Sequence, residues 1–262
     1  MSQSQPININ DLFQSAHDDG LLSTASLQVL DVNDIGAQIQ AGLGIEIDDV
    51  TSSEVVLVTI MPDDSGSIRF SGNAQAVRGG HNAVLDALSS SKQKDNILIH
   101  TRYLNGHVLY PYCPLSQAVR MTPKNYDPNE GTPLYDQTIV LLGTVLAKAQ
   151  EFADNGVPVR TITLIITDGA DAHSVRADAK DIASVVRDML KAENHIIAAM
   201  GIDDGYTYFR QVFQDMGIRD EWILTPGNSD SEIRKAFQVF SQSAVRVSQS
   251  AGNLGSLGGF GS

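Results

Sequence analysis

The sequence predicts an α/β protein: a doubly wound, mostly parallel Rossmann-like sheet with one antiparallel edge strand and helices on both faces. Three observations lead there. From Glu54 onward, short β-branched apolar runs alternate with segments whose apolar residues recur at helical spacing. Those runs are continuously apolar, as in strands covered on both faces. Asn105-Gly106 separates two such runs and marks a hairpin, because both residues accept positive φ.

Taken in order, "VVLVTIM" is the first strand, and Ala74, Val77, Val84, Leu85 and Leu88 trace the helix that follows. Gly79-Gly80 inside that helix costs about 1 kcal/mol per residue relative to Ala, a cost that close packing against a strand would explain. "NILIHTRYL" and "HVLYPY" form the antiparallel pair. After a polar loop, "TPLYDQTIVLLGTVLAKAQEFADNG" reads as a helix with Pro133 in its first turn and Gly156 past its end. "VRTITLIITDG", "HIIAAMGI" and "EWILT" are further strands. Between and after them come helices over "SVRADAKDIASVVRDMLKAEN", "YTYFRQVFQDMG" and "SDSEIRKAFQVFSQSAVRVSQ", the last with Ser and Asp available as caps.

These elements place the α/β domain at residues 54–248. Residues 1–53 form an acidic N-terminal extension of short helices and turns, and 249–262 a flexible Gly/Ser-rich tail. Residues 1–68 hold eleven acidic side chains and no Lys or Arg, whereas 69–262 hold twenty acidic and eighteen basic ones, so the total of −13 resides mainly in the first quarter. Such a surface disfavours nucleic acid and anionic membrane as partners. No apolar stretch approaches the roughly 18 residues of a membrane span, and the start lacks the basic and apolar regions of a secretory signal. A cytoplasmic location is expected. The single cysteine, Cys113, allows no internal disulfide and reads as a small buried hydrophobe.

Two of the parallel strands end in acid. Asp63 follows the first and Asp168 follows "TITLIIT", while Thr132 opens a helix just after Gly131. Ligands of doubly wound sheets bind beyond the carboxyl ends of the strands. This fold brings Asp63, Ser65, Ser67, Thr132 and Asp168 to one rim. Carboxylates collected without a cation repel one another, and hydroxyl with carboxylate oxygens suit a hard divalent ion. The alternative is structural: Ser65 and Ser67 cap the next helix, Thr132 caps its own, and Asp168 makes a turn with Gly169.

Asp63-x-Ser65-x-Ser67, Gly131-Thr132-Pro133 and Thr167-Asp168-Gly169, in that order, resemble the von Willebrand factor A (vWA) domain with a complete metal-ion-dependent adhesion site. The resemblance covers about residues 54–248. It implies that Ser65, Ser67 and in some cases Thr132 bind the metal directly, with Asp63 and Asp168 acting mostly through bound waters. One coordination position then stays open for an Asp or Glu of a partner protein. Mg²⁺ suits a small octahedral site that retains waters, with Mn²⁺ or Ca²⁺ as substitutes. Glu130, Asp64 and Asp171 add acid nearby, which would repel an acidic ligand or hold a basic residue beside it. The sequence leaves both open.

The implied function is a binding module, not an enzyme. By family analogy it would serve as adaptor or subunit for a ring-forming AAA+ ATPase of the MoxR kind, or for a kinase/phosphatase stress or defence system. Two alternatives stand beside it. One is metal-assisted phosphotransfer or hydrolysis at the same rim; the other is a structural subunit that the metal merely braces. Receiver-type and haloacid-dehalogenase-type chemistry fit less well. No Lys follows "HIIAAMGIDDG", and Ser65 stands where the second Asp would be needed.

Overall fold

The structure is a computed structural model in which residues 8–250, 254 and 257–260 are described. Six strands form one sheet: β1 (Val55–Pro62), β2 (Ile97–Arg102), β3 (Val108–Pro114), β4 (Val159–Thr167), β5 (His195–Gly201) and β6 (Ile223–Leu224). Their spatial order is β3-β2-β1-β4-β5-β6, with β3 antiparallel to β2 and every other pair parallel. β1, β4 and β5 are buried along their whole length, which is why they read as mainly apolar runs without polar alternation to solvent.

Helices cover both faces. α5 (Ala74–Ser89) and α9 (Asp230–Gln249) pack on each other over one face, while α6 (Leu134–Asp154) and α7 (Ala179–Lys191) lie on the other. Alternate residues of β1 divide accordingly: Val55 and Leu57 pack with Ala149 and Phe152 of α6 in a smaller cluster, and Val56, Val58 and Ile60 join the main core. The remaining helices are α4 (Gly66–Phe70), directly after β1, and α8 (Phe209–Asp215), between β5 and β6.

Residues 9–43 form α1 (Ile9–Asp18), α2 (Thr24–Val29) and α3 (Val32–Leu43). α1 and α3 lie on α6, and α2 lies on α7. α6 is buried nearly all round, from Leu134 to Phe152 apart from Tyr135 and Asp136; such a helix requires neighbours on every side, and this segment supplies them on the side away from the sheet. Asp188 of α7, buried, anchors α2 by accepting the Ser23 N–H at 2.8 Å and the Ser26 hydroxyl at 2.7 Å. Burial pushes its carboxyl up, but hydrogen bonds from Lys191, Ser23 and Ser26 outweigh that and hold it below the usual carboxylate range.

Three local expectations are corrected. At the β2–β3 turn only Gly106 takes positive φ (93°); Asn105 instead uses its side chain to accept the His107 N–H at 2.8 Å. The glycine pair in α5 answers to a helix and not to a strand. A Cβ on Gly80 would sit 2.0 Å from the Phe237 ring of α9, while one on Gly79 would meet nothing. Finally, α7 starts at Ala179 and not at Ser174, because Asp178 and Asp181 make a capping box and Asp136 holds the N–H groups of Val175, Arg176 and Ala177 in a loop.

Cys113 is buried, and burial pushes its thiol up to about 11. Residues 1–7 of the extension and 251–253, 255–256 and 261–262 of the tail lie outside the described residues. Within the tail, Leu254 is buried and donates its N–H to Glu193 O at 2.9 Å, and Phe260 meets Trp222 edge-on at 5.1 Å. Among the described residues no helix is long and apolar enough to cross a membrane.

Two outcomes follow from this packing. Gly80→Ala should destabilise by about 1–3 kcal/mol through overpacking, whereas Gly79→Ala should be neutral or stabilising by up to about 1 kcal/mol; urea titrations of both variants decide. Asp188→Asn should cost about 1.5–3 kcal/mol at pH 7. Because the folded-state pKa lies below the unfolded one, that difference is present at neutral pH. It should shrink as pH falls below about 4, measured as the gap between parent and variant.

Candidate metal centre

β1 and β4 pair in parallel register through Pro62 and Ile166, so the residues that follow each strand emerge side by side. Asp63 and Asp168 are the first residues beyond them, and both are buried. Asp63 accepts the Ser65 N–H through Oδ1 and the Thr167 hydroxyl through Oδ2, each at 2.7 Å. The Ser65 and Ser67 hydroxyls are 2.8 Å apart. Ser67 donates to Asp168 Oδ1 at 2.6 Å, and Ser71 donates to Oδ2 at 3.3 Å. Asp63, Ser65, Ser67 and Asp168 therefore form one connected cluster, buried except at Ser67, which faces solvent.

Thr132 is brought alongside by main chain. Ser65 and Glu130 form an isolated parallel bridge, and Gly66 N–H donates to Glu130 O at 3.0 Å. Two residues on, the Thr132 N–H donates to His173 Nδ1 at 2.8 Å. That imidazole lies where a Cβ on Gly131 would be only 3.0 Å away, so a small residue keeps the segment close to the β4–α7 loop.

The capping alternative can be compared with these bonds. Ser65 occupies the N-cap position of α4 but makes no side-chain cap; its hydroxyl goes to Ser67. Pro133, not Thr132, precedes the first residue of α6. Asp168 accepts hydroxyls, and the Gly169 N–H goes to Thr167 Oγ1 at 3.1 Å. The side-chain oxygens of Ser65, Ser67 and Asp168 are directed at one another instead of at helix termini.

Electrostatically the cluster lacks a positive charge. None of the ion pairs among the described residues involves Asp63, Asp64 or Asp168. Burial raises the carboxyl of Asp63, against opposing hydrogen bonds from Ser65 and Thr167. It pushes Asp168 up to about 6 and Asp64 to about 7, with the charge of Asp63 adding to both. Among the described residues no three His, Cys, Asp or Glu side chains are grouped as a metal site, so any ion here depends on the hydroxyls. The donor set fits a hard divalent cation: oxygen only, two carboxylates for charge, hydroxyls for coordination.

Sequence reasoning missed the supports of this cluster. The Tyr126 hydroxyl, fully buried, donates to the Asp63 carbonyl, and Asp64 accepts the Asn105 N–H at 3.0 Å. Tyr126 lies in an aperiodic polar loop, and neither Ser71 nor His173 carries a local signal that would have singled it out.

Among solved structures, the fold matches the pilus adhesin SpaC from Lactobacillus rhamnosus GG, with a TM-score of 0.54 and 13% identity over 74% of this chain and 31% of that one. It also matches proximal thread matrix protein 1 from the mussel byssus, with a TM-score of 0.52 and 15% identity over 73% of this chain and 46% of that one. The chain has a von Willebrand factor A fold. It spans less than half the length of these vWA-fold neighbours, 31% and 46%. The VWA domain of SpRpn10 is a looser match, with a TM-score of 0.45 and 12% identity over 69% of this chain and 93% of that one. No protein-family model matches the chain, and no curated protein matches it in sequence.

Uncompensated buried charge predicts how the vWA rim responds to metal. Asp168→Asn keeps an acceptor for Ser67 and removes one charge. In EDTA its thermal midpoint should equal or exceed that of the parent. Added Mg²⁺ should stabilise the parent by about 2.7 kcal/mol at a hundredfold excess over Kd and leave the variant unmoved. A variant much less stable than the parent in EDTA would contradict this.

Proposed function

We propose that this chain is a metal-dependent protein-binding module, not an enzyme, in which Asp63, Ser65, Ser67, Thr132 and Asp168 hold a divalent ion, Mg²⁺ by preference, that engages an Asp or Glu of a partner protein. The observation that carries the proposal is the connected hydroxyl–carboxylate cluster at the rim, buried except at Ser67 and without a basic partner. When bound, the ion supplies Lewis acidity and a coordination position for an incoming carboxylate.

The chain's own residues set the terms of that binding. Ser65, Ser67 and Thr132 contribute neutral oxygens, so little of the ion's charge is spent on them. Asp63 and Asp168 balance the two positive charges, and the Thr167 hydroxyl and Ser65 N–H fix the orientation of the Asp63 carboxylate. The Tyr126 hydroxyl, donating to the Asp63 carbonyl, and the Glu130 carbonyl, accepting the Gly66 N–H, hold the turn and the Thr132 segment. Exposure of Ser67 leaves the outer side of the cluster open to a partner. Within this reading the protein works in the cytoplasm as adaptor or subunit of a larger assembly, such as a MoxR-type AAA+ ATPase or a kinase/phosphatase stress or defence system.

Co-purification from cells tests the reading. A partner should be retained in Mg²⁺, released by EDTA, and absent from Asp63→Ala and Ser67→Ala preparations that remain folded. Equal retention in all four cases would remove the metal bridge. Mg²⁺-dependent turnover of a generic phosphoester, abolished in Asp168→Ala, would replace binding with catalysis.

A further inference from the structure

Large exposed apolar side chains are unevenly distributed on this molecule. Among the described residues they are Phe70, Val119, Val175, Tyr206 and Tyr208. Val119 follows β3, whose direction is reversed, so it leaves the sheet at the opposite edge. The other four sit on the segments after β1, β4 and β5, at the rim that carries the metal centre. Three of them lie two or three residues from a side chain linked to that centre. Phe70, 90% exposed, lies three residues after Ser67. Val175, 95% exposed, lies two after His173, which holds the Thr132 N–H. Tyr206, 91% exposed, follows Asp204, whose charge reaches Asp168. Tyr208 walls a groove of about 490 Å³ together with Asp203 and Thr207.

The charges at this rim are equally one-sided. Asp171, Asp203 and Asp204 lie on the loops that follow β4 and β5, and Glu130 bridges to Ser65; the charge of Glu130 reaches Asp64 and that of Asp204 reaches Asp168. The basic side chains in the same segments are already engaged. Arg69 bonds Asp127 and Pro128 O, each at 2.6 Å; Arg176 bonds Val29 O at 2.7 Å and Asp34 at 3.5 Å; Arg210, at the groove, bonds Asp220 at 2.5 Å. With two carboxylates offset by a divalent ion, the remaining ones still repel an acidic segment that brings no positive charge of its own. Exposed aromatic side chains beside such a field are the residue types that anchor interfaces.

We propose that the rim is a composite docking surface for a polypeptide segment in which one acidic residue is flanked by Lys or Arg and by a large apolar side chain. The acid meets the metal centre, the basic flank meets Glu130 and Asp203, and the apolar side chain packs on Phe70, Tyr206 and Tyr208. This rests on the metal-bridge reading and assigns the chemistry of its partner.

The test is selection of a random peptide library, displayed on phage, on the immobilised full chain in MgCl₂ with elution by EDTA. Recovered peptides should combine Asp or Glu with a neighbouring Lys or Arg and an aromatic or aliphatic residue. For the best synthetic peptide, exchanging its basic residue for Glu should weaken binding on the order of tenfold. That penalty should shrink in a Glu130→Gln, Asp203→Asn double variant. A Tyr206→Ser, Tyr208→Ser double variant should lose affinity on the order of tenfold while its Mg²⁺ uptake stays at the parental level.

EDTA-eluted acidic peptides with no basic or apolar enrichment would overturn the composite surface and leave the metal bridge standing. Basic–apolar peptides that stay bound in EDTA would support the surface and overturn the bridge. Recovery of no peptide would overturn both.

Discussion

Parallel pairing of β1 with β4, with Pro62 opposite Ile166, brings Asp63 and Asp168 out of neighbouring strands within one residue of the same level, into a site where both are buried. Two carboxylates held this way resist ionisation, and Asp64 next to them makes a third. Hydrogen bonds from Ser65, Ser67, Ser71 and Thr167 soften the penalty without supplying a positive charge. The fold can carry such a cluster because the sheet beneath it is apolar through both faces, with β1, β4 and β5 wholly buried. Stability comes from that core, and the rim is left poised for a cation.

Much of the acid around the rim also has a mechanical role. Asp136 gathers three consecutive N–H groups of the loop before α7. Asp204 accepts the N–H groups of Tyr206 and Thr207, and Asp171 accepts that of Tyr135. Asp64 ties the β2–β3 turn to the metal loop through Asn105. Each carboxylate satisfies backbone donors that an irregular loop would otherwise leave unpaired. The same choice of residue holds the loops in place and makes the rim electronegative, so the positioning of the site and its preference for a cation share one cause.

The sheet was readable because its central strands β1, β4 and β5 are wholly buried and therefore mainly apolar, and because the acid-ended runs announce where β1 and β4 stop. Three motif segments, in order, forecast that Asp63, Ser65, Ser67, Thr132 and Asp168 would share one rim; hydrogen bonds connect four of them, while Thr132 is tied in through its main-chain N–H to His173 and through the Glu130–Ser65 bridge. What stayed hidden depends on contacts between distant parts of the chain. Gly80 is needed by Phe237, about 150 residues later, and no spacing rule relates them. Tyr126 and His173 brace the site from loops without periodicity. Helices α1 to α3 left a weak local pattern; the clearer signal was the apolar stretch over residues 138–147 of α6, too long for one helix face and therefore in need of a cover. The Asn105-Gly106 turn was placed correctly but for an incomplete reason, since only the glycine uses its conformational freedom.

The central claim is that the rim oxygens act together on one ion, and calorimetric titration of the purified chain with MgCl₂ addresses it most directly. The folded chain should show saturable uptake of a single ion at millimolar concentration or below, and Ser67→Ala should lose it. Absence of any saturable uptake by the folded parent, or uptake undiminished in the variant, would contradict it.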